Sequence, residues 1–80
     1  MKFTEYCEQN GIKLLREDMK YLRKMLDGLK IDLRKGVLMS YAQEWSLGIS
    51  EESNVQLKQN SGRRRANLAL PGIIHAIITS

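Results

Sequence analysis

Apolar residues recur along most of this chain at steps of three and four, the spacing of a helix that turns one face inward. The clearest run is Leu15, Met19, Leu22, Leu26 and Leu29. At 100° per residue these positions fall within about 80° of one another, so the segment predicts an amphipathic helix. A shorter helix is predicted before it, with Thr4 as N-cap, Phe3 just ahead, and Tyr6 and Cys7 turned to one side before Asn10-Gly11. A third helix is expected after Asp32, whose carboxylate suits free backbone N–H groups while Ile31 packs as a staple. It should run through Val37, Leu38, Tyr41, Ala42 and Trp45 toward Gly48.

Glycines punctuate this pattern. Gly11, Gly28 and Gly48 each follow a helix-compatible segment and precede an apolar residue, as in a helix that ends on a left-handed residue. Gly36 falls inside the third helix, where glycine costs roughly 1 kcal/mol against alanine. Its presence there suggests close approach of another backbone, with the second helix as the expected neighbour.

Past Gly48 the pattern weakens, and residues 49–61 read as a polar connector with only Val55 and Leu57 available for burial. A basic and then apolar segment, 62–80, follows. A fourth helix is predicted from near Ser61 through Leu70, stopped or kinked by Pro71-Gly72. Ile73 to Ile78 is β-branched and uncharged, and fits a strand, a helix end against the core, or an interface segment.

The fold class predicted is all-α: a single domain over residues 1–80, with three to four helices around a central αα-hairpin of the second and third. Its core should include Leu15, Met19, Leu22, Leu26, Leu38, Tyr41, Ala42 and Trp45. Eighty residues support one core, worth roughly 3 to 5 kcal/mol, so dimerisation is a natural expectation.

Composition narrows location and chemistry. With 42% hydrophobic and 28% charged residues the chain falls in the globular range. The longest apolar stretch, Leu68 to Ile78, is too short to span a bilayer and contains Pro71-Gly72, while Met1 to Glu5 shows no apolar leader. Cys7 is the lone cysteine, expected as a buried reduced thiol. A cytoplasmic protein is the expectation.

Catalytic patterns are lacking. His75 stands among isoleucines with no second histidine or cysteine at ligand spacing, and no glycine-rich phosphate loop occurs. Glu17-Asp18 and Glu51-Glu52 are sequence neighbours, which a helix points about 100° apart, so capping or solvation accounts for them better than shared acid–base work. Ser40, Ser46 and Ser61 have no nucleophile context. A non-catalytic protein without cofactor or metal is expected.

Charge is more informative. Residues 1–57 contain nine Lys/Arg and nine Asp/Glu, whereas 58–80 contain Lys58, Arg63, Arg64 and Arg65 and no acid. The whole formal charge of +4 thus falls in the last segment. Arginine forks suit phosphate, so contact with DNA or RNA through Lys58, Arg63, Arg64 and Arg65, joined by Arg16, Lys20 and Arg23, is the first functional expectation. Solvation, or pairing with acids of the second and third helices, is the competing account of the same arginines, and a triplet of arginines alone does not outweigh it. A helix-turn-helix centred on Gly28 fits poorly: Lys24 stands where a small residue is needed and Arg34 where an apolar contact is expected. Tyr21, Tyr41 and Trp45 fall on or near apolar faces and read as core, not as base-stacking platforms. The competing expectation is a protein-interaction module, as homodimer, inhibitor or adaptor, with Leu70, Ile73, Ile74, Ile77 and Ile78 as its apolar contact.

Overall fold

The computed structural model describes residues 2–80; Met1 lies outside them. Every regular element among them is helical: α1 (Phe3–Gln9), α2 (Arg16–Leu26), α3 (Ile31–Glu51), a single 3-10 turn (Val55–Leu57), and α4 (Lys58–Thr79). The protein is an all-α domain of four helices. No helix among the described residues is long and apolar enough to cross a membrane.

Two glycines act as helix stops. Gly11 and Gly28 have φ of +68° and +88°, the left-handed region that a Cβ disfavours. Behind each the chain folds back as predicted: Ile12 N–H donates to the Cys7 carbonyl at 2.9 Å, and Leu29 N–H donates to the Leu26 carbonyl at 3.0 Å.

Gly48 is different. α3 runs through it to Glu51, and the residue is buried against α4. A Cβ built on Gly48 would lie 2.6 Å from the Gly62 Cα and 2.8 Å from the Ser61 carbonyl oxygen. Reciprocally, a Cβ on Gly62 would meet the Trp45 carbonyl oxygen at 2.7 Å. The two glycines are therefore a crossing point at which the helix backbones touch. Gly36, expected at such a crossing with the second helix, has only the Ile77 Cδ1 within reach, at 3.5 Å.

The central hairpin consequently joins α3 to α4, correcting the expected partnership of the second and third helices. Its antiparallel register is set by Trp45 with Gln59, Tyr41 with Asn67, and Gly36 with Ile77. α1 packs on α3, and α2 lies across α4. Pro71 sits inside α4 on the solvent side and does not end it. It removes one backbone donor from the helix ladder. The isoleucine segment continues this helix: Leu70 is fully buried, and Ile73, Ile74 and Ile77 pack against the core.

The core joins Val37, Tyr41, Ala42 and Trp45 of α3 to Ala66 and Leu70 of α4, Leu22 and Leu26 of α2, and Cys7 and Ile12. Met19 and Leu38 are partly buried, but Leu15 is half exposed because it precedes the first turn of α2 as its N-cap. Helix starts also differ from expectation. α1 begins at Phe3 behind Lys2, not behind Thr4, and α3 begins at Ile31 behind Lys30. Ile31 is 81% exposed and staples nothing, so Asp32 contributes its charge to the first turn without a side-chain cap. Val55 and Leu57 are exposed, and α4 starts three residues earlier than Ser61.

Candidate functional site

The polar heart of the fold is Asp18, an acid in the first turn of α2 that is only 3% exposed. It lies four residues before Leu22 and so shares the inward face of the helix. Its Oδ2 accepts the N–H of Leu15 at 2.8 Å, the half of a capping box in which the third helical residue reaches back to the N-cap backbone. The same oxygen accepts Arg63 Nε at 3.0 Å, and Oδ1 accepts Asn67 Nδ2 at 3.3 Å. Asn67 in turn accepts the Tyr41 hydroxyl at 2.6 Å. Burial, reinforced by the negative charge of Asp18, pushes the Tyr41 hydroxyl well above its ordinary pKa.

Around this network the remaining polar groups serve the fold. The Arg63 guanidinium stacks over Trp45, 5.3 Å from the ring centroid, and donates to Asn60 Oδ1 at 2.8 Å. Gln59 accepts from Trp45 Nε1 and from the Lys13 N–H, both at 3.1 Å, and donates to the Gly11 carbonyl at 2.6 Å. One amide thus pins the α1–α2 turn to the hairpin. Arg65 donates to Glu44 Oε2 at 2.7 Å and to both carboxylate oxygens of Glu51 at 2.8 Å. These bonds raise its already high pKa, with the Glu44 bond as the main cause. Lys58 Nζ donates to the carbonyls of Ile49 and Glu52, at 3.0 and 2.6 Å, and so closes the C-terminal end of α3.

The basic cluster at residues 58–65 is therefore largely spent inside the protein. Arg63 faces Asp18, Arg65 faces Glu44 and Glu51, Lys58 faces open carbonyls, and Arg64 alone of the triplet points into water. Arg63 and Arg65 thus take the pairing with acids of the second and third helices that the sequence left open beside phosphate contact, and of the triplet Arg64 is left exposed. No family model, curated protein or solved structure matches the chain.

Using up Asp18 in this way relocates the protein's charge. Between residues 16 and 35 the acids left are Glu17, Asp27 and Asp32, against Arg16, Lys20, Arg23, Lys24, Lys30, Arg34 and Lys35. Arg16, Lys20 and Arg23 are all exposed, and none is within salt-bridge distance of an acid among the described residues. On α2 they fall within about 60° of one another and span about 10 Å of the axis. They flank a shallow depression floored by Leu14, Leu15 and Met19.

The interface expected at the C-terminus is also mostly consumed. Of Leu70, Ile73, Ile74, Ile77 and Ile78, only Ile78 is exposed, at 58%. Leu68 stands outward on α4 with it, at 77%. Among the described residues no buried side-chain nitrogen or oxygen lacks a partner, and no group of His, Cys, Asp and Glu is placed to hold a metal.

Proposed function

We propose that the protein is a non-catalytic basic module that engages nucleic-acid phosphates through α2, with Arg16, Lys20 and Arg23 as its contacts and Arg64 as an outlying one. The observation that carries this reading is the unpaired row of Arg16, Lys20 and Arg23 on one exposed helix face, beside an acid withdrawn into the core by Arg63. A row of about 10 Å covers about three base-pair steps measured along a duplex axis, at roughly 3.4 Å each. Phosphate contacts position a protein without reading sequence, so this reading concerns affinity, not specificity.

The test is a salt titration of binding to duplex DNA and to single-stranded RNA. Three phosphate contacts give a log–log slope of about −2.7 on duplex, or about a 40-fold loss between roughly 50 and 200 mM salt. Replacing Arg16, Lys20 and Arg23 by Glu should abolish binding while leaving the fold intact, because all three side chains face water. A full slope in that variant, or no binding by the parent protein at low salt, refutes the reading. A protein contact through the isoleucine segment draws less support, since Leu70, Ile73, Ile74 and Ile77 already pack against the core.

A further inference from the structure

We propose that the groove between α1 and the first half of α3 receives an acidic amphipathic helix from a partner protein. The groove encloses about 670 Å³, is open along one side, and is lined by Phe3, Ile31, Leu38 and Met39 with Lys2, Arg34 and Lys35 around them. Glu5 is its one acidic lining residue.

Three features point to this occupant. Ile31 is 81% exposed, a large aliphatic side chain held in water at the start of a helix and aligned with Leu38 one turn-pair further on. This apolar line, from Ile31 to Met39, covers about 12 Å, the length of roughly two helical turns, which suits anchors at i, i+3 or i+4, and i+7 of a second helix. The rim then adds a positive excess, three cations against the single acid Glu5. Lys2 and Lys35 are exposed, and Arg34 is held in place by an Nε bond to the Leu29 carbonyl at 2.9 Å, leaving its terminal nitrogens to fork onto a carboxylate. Cations flanking an apolar floor discriminate against a basic partner by repulsion and leave the acidic one favoured.

The shape excludes the other anions. An open groove would leave a single acyl chain or other small anion largely wet, whereas small-ligand sites enclose most of their guest. A bilayer surface is flat and could not fill a concavity between two helices. The site is distinct from the phosphate-binding face proposed on α2, so each can fail without the other.

Binding is measured by fluorescence anisotropy with a labelled peptide of about three helical turns, carrying leucine anchors on one face and glutamates beside them. A second peptide has lysine in place of every glutamate. The acidic peptide should bind and the basic one should not. Ile31→Asp and Lys35→Glu should each weaken binding at least about tenfold, the scale of losing one central anchor. Both residues are exposed, so helical content and melting temperature report that the variants remain folded. The α2 triple variant should bind the acidic peptide as the parent does. No acidic-peptide binding up to about 1 mM, equal binding of the basic peptide, undiminished binding by Ile31→Asp, or adsorption to phosphatidylserine vesicles in place of peptide binding would each overturn the proposal.

Discussion

One substitution, glycine to alanine, should have opposite effects at two positions of α3. In an exposed helix interior the change favours folding by up to about 1 kcal/mol, since alanine loses less backbone entropy than glycine and shields the helix better. At Gly36 the new methyl group would touch only the Ile77 Cδ1, at 3.5 Å, an ordinary van der Waals separation. Gly36→Ala should therefore keep most of the propensity gain, about 0.5 to 1 kcal/mol. At Gly48 the methyl group would sit 2.6 Å from the Gly62 Cα, 2.8 Å from the Ser61 oxygen and 2.9 Å from the Gly62 nitrogen. All three are backbone atoms of a helix, and none can rotate aside. Relief requires α3 and α4 to separate by about 1 Å where Trp45 and Ala66 pack, and overpacking of this kind costs about 1 to 3 kcal/mol, at the upper end where nothing yields. After the propensity gain, Gly48→Ala should lose about 1 to 2 kcal/mol, and Gly62→Ala, whose methyl would meet the Trp45 backbone and ring, about as much. For a domain of this size 1 kcal/mol moves the melting temperature by about 4 to 8 °C. Thermal unfolding followed by far-ultraviolet circular dichroism should place Gly36→Ala several degrees above the parent and Gly48→Ala roughly 5 to 15 °C below it. A Gly48→Ala protein as stable as the parent would refute the backbone crossing.

Other parts of the structure can be tested more briefly. Asp18→Ala removes the partner of an Arg63 whose side chain is 23% exposed, together with the acceptor for the Leu15 N–H, and should cost about 3 kcal/mol in urea unfolding; an unchanged midpoint would remove the network from the stability argument. The pKa of Tyr41 is raised in the fold, so its proton is bound in both states below about pH 10, while above that the unfolded chain ionises first and stability falls as pH rises. Tyr41→Phe should flatten the fall between about pH 9.5 and 11.5 relative to the parent; parallel pH profiles would contradict the burial of this hydroxyl. Burial also raises the pKa of the Cys7 thiol, so alkylation at neutral pH should be slow in the native protein and fast in urea, and equal rates would place Cys7 at the surface.

Legibility in the sequence followed locality. The stripe Leu22–Leu26, the inward set Tyr41, Ala42 and Trp45, and the left-handed stops at Gly11 and Gly28 all express rules that operate within a few residues. Gly48 carries the same local signature as Gly11 and Gly28, a glycine ahead of an isoleucine, yet its role depends on Gly62, fourteen residues later on another helix. Pro71 misled for a related reason. A proline in a helical pattern normally marks a break, but here Gly62, Ala66, Leu70, Ile73 and Ile77 continue a step of three and four across it, and Pro71 falls on the opposite, solvent side. That inward stripe was present in the sequence and would have carried α4 through Pro71 as one core-facing helix.

The charged residues illustrate a deeper reason why a site hides from its sequence. Counting acids and bases along the chain assigns the excess to residues 58–80, because counting treats neighbours in sequence as neighbours in space. Folding brings Asp18 to Arg63 across 45 positions and Glu44 to Arg65 across 21, so the basic segment borrows its neutrality from helices that then display the surplus. A detectable trace existed: Asp18 stands on the inward face defined by Leu22 and Leu26, and a carboxylate there is expensive to bury without a cation and hydrogen-bond donors. The nearest surplus cation in sequence was no guide, since Arg16 and Lys20 on the same helix turn to water. An acid on an apolar stripe therefore calls for a partner from a distant segment, and whichever base answers leaves the acid's own helix more positive than its composition suggests.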